Sequence, residues 1–121
     1  MADMHDTAEQ PVRLSISQTT CSGIRVLALS GEIDADNVDR LRQSLTVGRG
    51  DLAHTVLDLS GVTFIDSSVI SVLASAHRDA TASHGWIRMA ALGMSVQRVV
   101  GLVGLDAVIG CYPTLAQALV A

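Results

Sequence analysis

Residues 55–76 read TVLDLSGVTFIDSSVISVLASA. The run Val56-Leu57-Asp58-Leu59-Ser60 is apolar but for one acid and is punctuated by Gly61, as expected of a mostly buried strand. Phe64 and Ile65 follow, then Asp66-Ser67-Ser68. From there Val69, Val72, Leu73, Ala76 and Ala80 recur at three- and four-residue spacing, the stripe of an amphipathic helix. A strand that enters a helix through a polar turn leaves two hydroxyls at the helix N-terminus. Unpaired N–H groups and the positive end of the helix dipole favour negative charge there, a phosphate included. Ser68, Ser71 and Ser75 form a second line at i, i+3 and i+7, small, polar and off the apolar stripe, which a partner can approach closely.

Upstream, residues 12–18 alternate apolar and polar, predicting a half-exposed strand with Val12, Leu14 and Ile16 toward the core. Residues 19–23 supply a turn, and residues 24–30 read as a more buried strand antiparallel to the first. Residues 31–34 end it. Asp34 or Asp36 can cap the next helix, whose inward face is Val38, Leu41 and Leu45 and whose end is marked by Gly48 and Gly50. Downstream, His84-Gly85 closes the central helix and residues 86–92 form a strand. Ser95 caps a helix with Val96, Val99, Val100 and Val103 on or near its core side, ended by Gly104. A short strand near residues 108–111 and a last helix over 115–120, opened by Pro113-Thr114, complete the chain. Residues 1–11 are polar and acidic, a flexible tail. The order β-β-α-β-α-β-α-β-α predicts one α/β domain over residues 12–121. Its mixed sheet is an opening hairpin followed by parallel strands, packed with about four helices.

Composition narrows the function. At 121 residues the chain suits a single core, and with aromatics at only 2% that core must be Val, Leu, Ile and Ala. A net charge of −4 with basic residues scattered singly offers no stripe for a nucleic-acid backbone. Cys21 and Cys111 fit neither a metal nor a redox spacing and read as unlinked thiols in a reducing cytosol. The N-terminus lacks a signal-peptide profile, and the most apolar tract, residues 99–110, is interrupted by Asp106. The expected location is therefore cytoplasmic, without membrane insertion. No G-x-S-x-G elbow or glycine-rich phosphate loop occurs, and His77 and His84 have no obvious third ligand. No catalytic residue, metal or cofactor is expected, and an enzyme is disfavoured.

Asp66-Ser67-Ser68 alone reads equally well as an ordinary helix cap. Three motifs together say more: G-E-I-D at residues 31–34, D-L-S-G-V-T-F-I-D-S-S at 58–68, and V-G-L-D at 103–106. With these the chain, from about Val12 to its end, resembles the anti-sigma-factor antagonists built on the STAS domain. The resemblance implies a partner-switching regulator of transcription, of the kind used in bacterial stress responses. The unmodified protein binds an anti-sigma factor, itself a serine kinase with a histidine-kinase-type ATPase fold, and so frees a sigma factor. Phosphorylation by that kinase inactivates it, and a PP2C-type phosphatase restores it.

By the same resemblance the phosphoacceptor is Ser68, with Ser67 as its neighbour, cap and alternative acceptor. Asp66 orders the turn, and the loop carrying Asp34 lies beside it. The implied partner-binding residues are Asp34, Asp66, Ser67, Ser68, Val69, Ser71 and Ser75. One position departs from the family, which usually has Gly where this chain has Val69. Val69 either joins the core stripe or adds bulk where a kinase must approach. The alternative reading is a STAS scaffold, or an accessory subunit of an ABC-type transporter or other signalling complex, without phosphorylation switching.

Overall fold

A computed structural model describes residues 13–46 and 54–121. The elements run β1 (Leu14–Cys21), β2 (Ile24–Ile33), α1 (Val38–Thr46), β3 (His54–Ile65), α2 (Ser67–Ala82), β4 (Trp86–Ala90), α3 (Met94–Leu102), a 3-10 turn (Leu105–Ala107), β5 (Gly110–Tyr112) and α4 (Leu115–Val120). They form one five-stranded sheet in the order β1-β2-β3-β4-β5. The first pair is antiparallel and the other three are parallel. This is the α/β arrangement that the alternation of elements predicts.

The strand order decides where the helices go. Right-handed crossovers that step always in the same direction put their helices on one face of the sheet. Residues Val38, Leu41 and Leu45 of α1, Val69, Val72 and Leu73 of α2, and Val96 and Val100 of α3 accordingly share one core with Leu27, Leu29, Leu57, Leu59, Ile87 and Met89 of the sheet. Only α4, which follows the last strand, packs on the opposite face. There Ala118 meets Val56 and Ala90.

Several local expectations change. The hairpin turn is only Ser22-Gly23, both at positive φ, 52° and 80°. That is the backbone a two-residue hairpin requires, and it lets β1 run on through residues 19–21. Strand β2 continues through Gly31 to Ile33. Gly61 interrupts nothing: β3 passes through it to Ile65, and the β2–β3 register shifts beside it. A Cβ at Gly61 would meet the Ser30 Cβ at 2.6 Å, so the glycine serves close strand approach rather than termination. Strand β4 stops at Ala90, and β5 begins at Gly110.

The end of α2 is as expected, and the start of α3 is not. Helix α2 closes with a Schellman arrangement in which His84, at φ 63°, takes the left-handed position. There the Gly85 N–H donates to the Ala80 carbonyl and the His84 N–H to that of Thr81. The N-cap of α3 is Gly93, not Ser95, whose hydroxyl instead donates to the Thr63 carbonyl at 3.3 Å. Val103 lies past the end of α3 and is exposed. The expected tail, Val12, and the helix end at Gly48 and Gly50 lie outside the described residues.

Candidate partner-binding site

The motif residues meet where β2 and β3 end and α1 and α2 begin. Gly31 shows why the G-E-I-D stretch starts as it does. Its φ is +102°, and a Cβ there would lie 1.9 Å from the Arg13 carbonyl oxygen. Only glycine admits the first residue of the hairpin so close. That carbonyl accepts the Glu32 N–H at 2.7 Å, which brings the Arg13 side chain over the loop that follows.

The guanidinium of Arg13 grips Asp34 with both ends, Nη1 to Oδ2 at 2.6 Å and Nη2 to Oδ1 at 3.2 Å. Asp36 lies 3.6 Å and Glu32 4.0 Å from the same group. The hydrogen bonds from Arg13 hold the Asp34 carboxyl below the usual carboxylate range, and the same contacts raise the pKa of Arg13. Asp34 heads the turn that leads into α1. Its carbonyl takes the Val38 N–H at 2.9 Å and its carboxylate the Asp36 N–H at 3.0 Å.

From this loop the Ala35 N–H reaches across to Asp66 Oδ2 at 3.2 Å. The other oxygen of Asp66 serves α2. Oδ1 accepts the Ser68 N–H at 2.9 Å and also the Ser68 hydroxyl in a short hydrogen bond. Asp66 is therefore the N-cap of α2, and Ser67 is its first residue, a correction to the expectation that Ser67 caps. The Ser68 hydroxyl, first among the causes, and the backbone N–H groups of Ser68, Ala35 and Val69 keep the Asp66 carboxyl ionised to lower pH than usual, against the burial that opposes this.

The result is one connected path: hydrogen bonds join Arg13 to Asp34, the backbone leads from Asp34 to Ala35, and hydrogen bonds join Ala35 to Asp66 and Asp66 to the Ser68 hydroxyl. The Ser68 hydroxyl is thereby held in one orientation, its hydrogen on Asp66 Oδ1.

Of the residues expected at this surface, Asp34, Asp66, Ser67 and Ser68 are brought together. Ser67 is exposed and Ser68 half-buried. Ser71 is exposed one turn further on, and its hydroxyl donates to the Ser67 carbonyl at 3.4 Å. Ser75 is exposed too but belongs to another neighbourhood. It lines a cavity of about 120 Å³ between α1 and α2 with Arg25, Arg42, Thr55 and Asp79. Val69 does not belong to the surface. It is only 2% exposed, packed among Val72, Leu73 and Val96 in the main core. Its methyl groups face away from any partner because the stripe at three- and four-residue spacing turns them inward.

The sequence reading missed Arg13. An arginine in an alternating strand looks like any solvated side chain, and its partner lies 21 residues away.

The family assignment follows from this architecture. The model of the STAS domain matches residues 15–118, and the chain belongs to that family. An anti-sigma F factor antagonist of Paenibacillus polymyxa is 26% identical over 110 residues, covering 89% of this chain and 94% of the relative. The crystal structure of an anti-sigma factor antagonist from Mycobacterium paratuberculosis superposes with a TM-score of 0.81 at 30% identity. It covers 88% of this chain and 92% of the other. The Bacillus cell fate determinant SpoIIAA in its phosphorylated form shares the fold at 18% identity, with a TM-score of 0.69 over 87% of this chain and 96% of its own. Among the described residues no helix is long and apolar enough to cross a membrane.

Proposed function

We propose that this protein is an anti-sigma-factor antagonist acting in the cytoplasm by partner switching. In its unphosphorylated form it binds an anti-sigma factor that is a serine kinase of the histidine-kinase ATPase type, and a sigma factor is released. The kinase phosphorylates Ser68, the complex dissociates, and a PP2C-type phosphatase resets the protein. The observation that carries this reading is the Ser68 hydroxyl held on Asp66 Oδ1 at the start of α2, with the Asp34 loop hydrogen-bonded to the same carboxylate. Relatives named as anti-sigma factor antagonists support it.

The physics of the switch is local. A phosphate adds about 1.5 to 2 negative charges and three acceptor oxygens. At a helix N-terminus it is tolerated by the helix itself. In a close interface beside Asp66 and Asp34 it adds like-charge repulsion and a desolvation cost that the unmodified hydroxyl does not. The buried position of Val69 favours kinase access, because the side chain replacing the family's glycine is not on the approach path.

Incubation with the anti-sigma kinase of the source organism and ATP tests this directly. Intact-mass analysis should show one phosphate on wild type and none on Ser68→Ala, with Ser68→Ala keeping the kinase in a pull-down and Ser68→Asp losing it. If Ser68→Ala accepts a phosphate at Ser67, the acceptor is misassigned. If Ser68→Asp binds as tightly as wild type, the switch mechanism is wrong.

A further inference from the structure

The core is built of Val, Leu, Ile, Ala and Met89, yet the only phenylalanine of the chain is not in it. Phe64 is 49% exposed although it lies in β3, between the exposed Thr63 and the buried Ile65. Met94, the first residue of α3, is 79% exposed. Their backbones are brought close to one another. Ser95 donates its hydroxyl to the Thr63 carbonyl, so Met94 and Phe64 are each one residue from the same hydrogen bond. On the other side, Phe64 is the register partner of Glu32 on β2. Two residues further along the chain is Asp66, the cap that holds Ser68.

An apolar pair is thus bordered by acids. Glu32, Asp34 and Asp36 gather round one cation, Arg13, and Asp66 closes the rim toward α2. Exposed aromatic and methionine side chains are uncommon on free surfaces and enriched at interface centres, where desolvated anchors supply most of the affinity. Charged groups at the rim contribute steering and discrimination rather than the bulk of the binding energy.

The geometry points to Phe64 and Met94 as the apolar anchor of the anti-sigma-factor interface, filling a hydrophobic pocket edged by basic residues on that partner, while Ser68 beside them acts as the switch. This inference rests on the antagonist reading given above and divides its interface into two parts. The anchor holds the partner, and the hydroxyl decides whether the anchor can seat.

The test is titration calorimetry with the purified anti-sigma kinase of the source organism and four forms of this protein: wild type, Ser68→Asp, Phe64→Ser/Met94→Ser and Leu102→Ser. Leu102 is 80% exposed at the far end of α3 and controls for loss of surface hydrophobicity alone. The anchor predicts a loss of at least 30-fold in affinity for the double variant and none for Leu102→Ser, together with weaker wild-type binding at higher salt. The double variant binding within twofold of wild type, or Leu102→Ser weakening binding equally, overturns the anchor while leaving the switch intact. Wild type failing to bind the kinase overturns the antagonist reading and the named occupant with it. Should the double variant fail to fold, Met94→Ser alone decides by the same criterion, with a loss of about tenfold expected.

Discussion

Two arginines of the opening hairpin do similar chemistry in opposite surroundings. Arg13 lies at the surface and grips an acidic loop with both ends of its guanidinium. Arg25, on β2, is 1% exposed and faces the helices. It donates to the carbonyls of Ser44 and Leu45 at the end of α1 and to the Thr55 hydroxyl of β3. A helix end buried against a sheet needs partners for its last carbonyls, and a cation supplies both hydrogen bonds and the right sign for the dipole. The difference is what each loss leaves behind. Without Arg25, buried carbonyls go unpaired in a low dielectric. Without Arg13, water replaces the guanidinium, and only the position of the loop changes.

The largest expected effect follows from the buried member. Arg25→Ala should cost about 3 kcal/mol, from orphaned carbonyls plus the space left by the side chain, and lower Tm by on the order of 10 °C or more. A urea titration of both proteins measures it. A loss under about 1 kcal/mol would mean that α1 finds other partners for its end and would erase the contrast with Arg13.

An intermediate effect belongs to Asp66→Ala, which removes an N-cap worth about 1 kcal/mol together with the bond to Ala35. Hydrogen exchange should speed up at both the Ser68 and the Ala35 amides. Acceleration at Ser68 alone would show that the Asp34 loop does not depend on this carboxylate.

The smallest effect on stability is that of Arg13→Gln, because an exposed ion pair contributes little, yet its effect on the site should be readily seen. Asp34 titrates below the ordinary carboxylate range because Arg13 hydrogen-bonds its ionised form. The stability this pairing confers is fully present above the unfolded value of about 3.9 and is lost as pH falls through the depressed folded value. In Arg13→Gln the Asp34 midpoint should rise toward the ordinary value, visible in its side-chain carboxyl carbon shift, and acid unfolding should lose that part of its pH dependence. An unchanged Asp34 midpoint would show that the backbone N–H groups, not the arginine, hold the loop.

The same contrast explains what could be read from the residues alone. Local periodicity reported the order of the elements, the inward faces of α1 and α2, and the polar turn at residues 66–68. Those features repeat every two or every three to four residues, and burial follows the repeat. Both arginines were beyond that reach. Nothing in the alternation of β1 marks Arg13 as a clamp, and nothing in β2 marks Arg25 as buried. Gly61 looked like punctuation because a mid-strand glycine is justified only by the neighbouring strand at Ser30. Val69 could be placed on either side of α2's role until its depth was known. Phe64 was passed over, since a phenylalanine in an apolar run is ordinarily core. Its exposure is visible only in the folded structure.

Asp66 has a further consequence. Its two carboxylate oxygens serve different clients, Oδ1 the serine and Oδ2 the neighbouring loop. Phosphorylation would withdraw only the hydroxyl proton from Oδ1, leaving the Ser68 amide and the Ala35 link in place. In the switch proposed above, the loop held by Oδ2 would keep its place and the signal would reside in charge. A switch of that kind would carry no mechanical memory, and its recovery would be set by the removal of the phosphate rather than by refolding.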